Sequence, residues 1–221
     1  VAWVLSGILG LVLGIVAGYF KDRLPDRLIR GYALLLASTP AFWIGLLLLM
    51  IFAVWLGWLP FGMNLPAGMT TAEAGIGVRI RHLLLPALTL GLTGVANITL
   101  HTREKMIAIM ESDYVLFARA RGESSGYIVK RHALRNLVLP AITLQFGSIS
   151  EIFGGSVLVE QVFSYPGLGQ AAIDAGLGSD VSLLLAITVI STLFVFLGNL
   201  AANAARDIAN AVKDAFTEAA S

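Results

Sequence analysis

The chain has 221 residues, of which 57% are hydrophobic and 13% charged, with a net charge of +1 and a mean hydropathy of +0.82. Soluble domains carry about 25% charged residues, so this composition excludes a soluble fold and points to an all-α polytopic membrane bundle. Cysteine is absent, which excludes disulfides, thiolate metal sites and a cysteine nucleophile.

A helix needs about 20 apolar residues to cross roughly 30 Å of hydrocarbon. Five stretches qualify: Val1–Phe20, Gly31–Leu59, Leu83–Thr102, Leu137–Val159 and Val181–Ala205. The first opens without a Met or a basic flank, so it reads as a span rather than a signal peptide, in a protein expected to begin further upstream. Gly10, Gly14 and Gly18 share one face of it and mark a close helix contact, within this chain or with a neighbour. The second stretch is long, and Pro40 predicts a kink because it lacks an N–H.

Basic residues set the orientation. Thirteen of the fifteen fall in three regions that alternate onto one side: the first loop, the loop 103–140, and the segment after the last span. Only Arg79 and Arg81 fall on the other side. The loop from Asp113 to Pro140 is therefore predicted to be cytoplasmic, and the loops Pro60–His82 and Glu160–Asp180 external. Residues 1–205 read as the transmembrane domain, with the cytoplasmic loop 103–140 inside it, and 206–221 as a cytoplasmic tail. In that tail Ile208, Val212, Ala215 and Phe216 suggest a short interfacial helix.

The cytoplasmic loop reads as two helices. Asp113 is predicted to cap a helix Tyr114–Arg121, and Gly122 to end it with a positive φ. Spacing of three and four places Tyr114, Phe117 and Ala118 or Arg121 on one face. After the turn Ser124-Ser125-Gly126, Tyr127–Asn136 forms a second helix that returns to the membrane at Leu139-Pro140. The fourth span is unusually polar, with Gln145, Ser148 and Glu151. Such groups are costly in lipid, so they either line a translocation path or hydrogen-bond neighbouring helices. Beyond it, Glu160-Gln161-Val162-Phe163-Ser164-Tyr165-Pro166-Gly167-Leu168-Gly169 reads as an anchored external turn: Pro166-Gly167 is the turn, and Phe163 and Tyr165 suit the membrane boundary.

Other chemistries lack their motifs. There is no G-x-x-x-x-G-K-S/T, no H-E-x-x-H and no G-x-S-x-G. His82 lies on the opposite side from His101 and His132, so the three cannot share a metal. Nothing suggests nucleic-acid binding. A stand-alone channel or secondary carrier remains as an alternative, although no inverted repeat is visible.

Two motifs, in order and one span apart, carry a resemblance. Ala118-Arg119-Ala120-Arg121-Gly122, with Arg131-His132, Arg135-Asn136 and Leu139-Pro140, resembles the cytoplasmic coupling loop of ABC importer permeases. The stretch from Glu160 through Phe163, Pro166 and Gly167 to Gly169 resembles the external signature of their dipeptide, oligopeptide and nickel group. Leu116-Phe117-Ala118 stands where the general loop has Glu-Ala-Ala, and Glu151 stands where the group has an uncharged residue. The resemblance implies a non-catalytic permease subunit of a bacterial inner membrane that binds no cofactor itself. It implies a second permease subunit, two ATPase subunits carrying ATP and Mg, and an external substrate-binding protein. It implies that Asp113, Tyr114, Phe117, Ala118, Arg119, Ala120, Arg121 and Gly122 engage the ATPase. Peptides are the expected substrates, with nickel chelates, glutathione or sugars as alternatives.

Overall fold

A computed structural model describes residues 1–66, 68–69 and 73–218, with the backbone alone at Leu139, Ala209 and 212–218. Ten helices make up the fold among these residues: α1 Ala2–Tyr19, α2 Leu24–Ala37, α3 Ala41–Leu48, α4 Ile76–Met110, α5 Asp113–Ala120, α6 Ser125–Ile128, α7 Leu134–Gly147, α8 Ile149–Val162, α9 Leu168–Leu177 and α10 Val181–Glu218. Wider π-type turns continue α3 through Leu49–Trp55 and join α6 to α7 through Val129–Ala133.

The glycine face of α1 meets its partner within the chain. α1 packs along α4. A Cβ on Gly10, Gly14 or Gly18 would lie 2.7, 2.5 and 2.5 Å from the nearest side-chain atoms of Ile98, Thr102 and Met106. Real Cβ contacts are never that short, so the two backbones are as close as glycine allows. Trp3, on the same face one turn or more before these glycines, ties α1 to α7. Its indole N–H donates to the Gln145 carbonyl at 2.7 Å, and the Gln145 amide donates back to the Trp3 carbonyl.

Three single helices are apolar and long enough to cross a membrane: α1, α4 and the Val181–Ile208 part of α10. The other two expected spans are broken. Gly31–Leu59 is not one kinked helix but two helices meeting at a corner of 105°. Pro40 disfavours helix at Thr39. The hydroxyls of Ser38 and Thr39 satisfy the Leu34 and Leu35 carbonyls at 2.8 Å each. The helix before the corner also begins earlier, at Leu24, and exposes Leu24, Leu28 and Leu35. Beside its charges, those leucines suit a helix lying along the membrane surface.

Leu137–Val159 is likewise two helices, bent by 44° at Ser148. The Ser148 hydroxyl donates to the Gln145 carbonyl at 2.8 Å, and Ser150 to the Gly147 carbonyl at 3.2 Å. These bonds compete with the helix ladder at the break. The third span continues as helix to Met110, and α10 runs unbroken to Glu218. The tail is therefore an extension of the last span rather than a separate short helix. The side chains of Val212, Ala215 and Phe216, and residues 219–221, lie outside the described residues.

Charge is gathered at one end of the bundle. There Arg103 of α4 forms two bonds, 2.5 and 2.7 Å, to Asp26 of α2, which is 1% exposed. Lys21 pairs with Glu111, and that hydrogen bond raises the lysine pKa. The opposite end is tied by backbone groups. Met63 N–H donates to the Phe163 carbonyl at 2.8 Å, Arg81 to the Trp58 carbonyl at 2.9 Å, and the His82 ring to the Gly62 carbonyl at 2.7 Å.

Candidate functional site

The basic end carries a folded module. Met106 and Met110 of α4, Val115 and Ala118 of α5, Ile128, Ala133 and Leu137 form one buried cluster, against which Leu11 and Ile15 of α1 pack. The cluster fixes α5 to the end of α4 and the start of α7.

α5 begins one residue before the predicted helix start. Its cap is Ser112, with φ −74° and ψ 152°, and Asp113 is its first helical residue. At that position the carboxylate still favours the positive end of the helix dipole. At the other end Gly122 has φ +82°. The Gly122 N–H bonds the Arg119 carbonyl at 2.9 Å, and the Glu123 N–H bonds the Ala118 carbonyl at 3.1 Å. This pair of bonds is a Schellman stop.

The two faces of α5 differ from the expected one in a single residue. Tyr114 and Phe117 are exposed, Phe117 by 72%, and Leu116, Arg119, Ala120 and Arg121 are exposed beside them. Ala118 is fully buried with Val115 and belongs to the inner face. Three and four residues both lead back to one side of a helix, and the short Ala side chain fits under the α4 end where Phe117 cannot.

The return segment braces this helix. The Asn136 amide donates to the Tyr114 hydroxyl at 3.2 Å and to the His132 carbonyl at 3.0 Å. The His132 ring donates to Glu123 at 3.0 Å, and Arg121 reaches the other oxygen of Glu123 at 3.0 Å. Arg131 covers the Tyr127 ring at 5.8 Å. Arg135 is exposed. Pro140 does not end the returning helix, which continues through it to Gly147.

The three polar residues of the fourth span do not come together. Gln145 faces α1, as described above. Ser148 and Glu151 line a different space, a crevice of about 370 Å³ between α4, α7, α8 and α10. Asn97 and His101 of α4, and Asn199, Asn203 and Arg206 of α10, complete its polar lining. The Asn97 amide donates to Glu151 at 3.2 Å. Sequence reasoning missed these five residues. Their signal was polar side chains spaced by four and three in two otherwise apolar spans.

The second motif, Glu160 to Gly169, is a clamp. The Glu160 carboxylate accepts from the Gln170 N–H at 2.9 Å in the first turn of α9. A Cβ on Gly167 would lie 2.3 Å from that carboxylate, and one on Gly169 would lie 2.7 Å from the Val157 Cα. Both glycines are thus spaces that Glu160 and α8 occupy. Phe163 packs inward, 1% exposed, with Leu85, Ala53 and Val159. Pro166 is exposed in the turn itself. The helix α9 inside this loop was not predicted.

Comparison with known proteins fits this arrangement. The chain is 38% identical over 204 residues to the oligopeptide transport system permease protein AppB of Bacillus subtilis (strain 168), covering 90% of this chain and 63% of AppB. It is 35% identical over 193 residues to the glutathione transport system permease protein GsiC of Escherichia coli (strain K12), covering 87% of this chain and 59% of GsiC. A putative peptide transport system permease protein of Brucella abortus (strain 2308) is 34% identical over 207 residues, 93% of this chain and 62% of that protein. The chain thus spans about three fifths of the length of these curated relatives. The family described as "Binding-protein-dependent transport system inner membrane component" matches residues 10–211. By that match over nearly its whole length, with its apolar helices and the two motif-bearing ends, the chain belongs to the family of inner membrane components of binding-protein-dependent transport systems.

Proposed function

We propose that this chain forms one permease half of an ATP-driven importer for short peptides, with α5 as the element that couples it to a separate ATPase. One observation carries the reading. Phe117 is 72% exposed on a helix whose opposite face is locked into the ends of the spans. A large aromatic side chain held out at the basic end of a membrane bundle loses nothing inside the chain if it enters a partner's cleft. Exposed aromatics of this kind supply the anchors of protein interfaces. ATP and Mg would be bound on the partner subunits.

The remaining partners follow the same reading. A second permease chain would complete the pore, covering polar groups that one chain leaves open. A substrate-binding protein would dock at the far end, on the platform of residues 58–66 and α9. The basic end is then cytoplasmic, residues 1–205 are the membrane domain, and 206–221 are its tail. Peptides as substrates draw on the names of AppB and of the Brucella abortus protein.

The test is co-purification with a candidate ABC ATPase expressed together with the chain, with peptide-stimulated hydrolysis measured in the same membranes. Phe117→Ala should weaken ATPase association about tenfold or more, a typical loss for an interface anchor, with the amount of permease in the membrane unchanged. Full association and hydrolysis in that variant would refute the coupling role of α5.

A further inference from the structure

The crevice between α4, α8 and α10 has a polarity that reflects its depth in the bundle. α4 and α10 both run from the far end towards the basic end, and α7 and α8 run back. Gly198 packs on Ile149, with a Cβ there only 3.0 Å from the Ile149 side chain, so these two positions share a level. Glu151 lies two residues beyond that level towards the far end, and Arg206 lies eight residues from it towards the basic end. At 1.5 Å per helical residue the two backbones are roughly 15 Å apart along the bundle.

Helical Cβ atoms tilt towards the helix N-terminus. On antiparallel α8 and α10 this tilts Glu151 and Arg206 towards each other, which brings the charges to roughly 10 Å. Asn199 and Asn203 stand between them on α10. Glu151, Asn97, His101, Asn203 and Arg206 are all exposed within the chain, yet most lie at depths where a lipid contact would be costly. The break at Ser148 lies in the same wall, and irregular backbone at membrane depth is tolerated where it lines a wet cavity.

We infer that this crevice is a dipolar section of the permeation path that takes short zwitterions, with the cationic end of the ligand at Glu151 and the anionic end towards Arg206. An extended chain spans about 3.3–3.6 Å per residue, so two or three residues of peptide fit between the charges. The carboxylate would then lead towards the basic end, with the Asn199 and Asn203 amides beside the peptide groups. This rests on the importer reading above and adds the orientation and the residues.

The experiment uses the assembled complex in membranes and the absence of cysteine in this chain. Asn199→Cys and Asn203→Cys each place one thiol in the crevice, one helical turn apart. Their reaction rates with cationic and anionic methanethiosulfonates of equal size are compared after correction for each reagent's rate with a free thiol. The thiol at 199 should favour the cation and the thiol at 203 the anion, each by about fivefold or more, given charges within one or two turns. Glu151→Gln should erase the first preference and Arg206→Gln the second. Trialanine should slow both reactions, and its N-acetyl and C-amide forms should do so several-fold less. Equal rates for both reagents, ratios unmoved by Glu151→Gln and Arg206→Gln, or thiols that never react would each overturn the inference. A complex that lacks an ATPase would instead overturn the importer reading, while leaving the labelling ratios measurable.

Discussion

Gly122 has φ +82°, and a Cβ placed there meets nothing within 4 Å. The cost of a side chain at this position is therefore backbone strain alone, about 1 kcal/mol. That separates the chain's own needs from those of a partner. Gly122→Ala should insert normally and change the thermal stability of the purified chain only slightly. Gly122→Asp places a charge beside the exposed face of α5 and should lose ATPase association by much more than the alanine variant. Equal association for both, measured by co-purification from the same membranes, would mean that nothing packs on this turn. Thr102 gives a second case. Its hydroxyl is buried on the α1 side of α4 without a hydrogen-bond partner. Thr102→Val keeps the shape and removes an unmet polar group, so stability in detergent should hold or rise by up to about 1 kcal/mol.

At the scale of elements, close packing of α1 on α4 is the strictest requirement in the fold. Gly14→Leu would put a Cβ 2.5 Å from the Thr102 side chain and 2.8 Å from the Thr99 carbonyl. Backbone cannot yield as a side chain can. We expect a loss of at least about 3 kcal/mol, the upper end for overpacking, read as a lower melting temperature and less protein in the membrane. A melting temperature equal to that of the unaltered chain would show that α1 can move away from α4. The glycine spacing made this contact legible in the sequence, but the identity of its partner was not, because any small-residue face fits any helix. The same holds elsewhere. Gly122 announced its turn because few residues adopt a positive φ. Ala118 did not announce its burial, since in an eight-residue helix spacing alone leaves two faces open. The corner at Pro40 was visible as a proline but not as 105°, which depends on Ser38 and Thr39 capping carbonyls. The crevice was hidden because its polar residues come from three separated segments, each a minor interruption in an apolar run.

For the whole molecule, orientation is the claim on which the others depend. If the basic end were external, α5 would face the wrong compartment for an ATPase and the α9 platform could not receive a binding protein. The physical argument is the excess of Lys and Arg in short loops on one side, which sets topology more strongly than total charge does. The structure adds the reason to treat that end as one unit. The α1–α2 turn, the end of α4 and the α5–α7 module are joined there by the Lys21–Glu111 and Asp26–Arg103 pairs and by one buried cluster. None of these pieces can therefore face a different side from the others. Two exposed sites report the two ends. Ser125 is the exposed first residue of α6, where a turn was expected, and Leu177, 83% exposed, closes α9. With no native cysteine in the chain, single Leu177→Cys and Ser125→Cys variants have no labelling background of their own. In intact cells stripped of their outer barrier, a membrane-impermeant maleimide should label Leu177→Cys within minutes. Ser125→Cys should label only after the membrane is opened. Adding four positive charges to the α9 loop should lower the yield of inserted protein without reversing these results, because thirteen basic residues already hold the opposite end. Labelling of Ser125→Cys from outside would reverse the molecule and remove the coupling role of α5 with it.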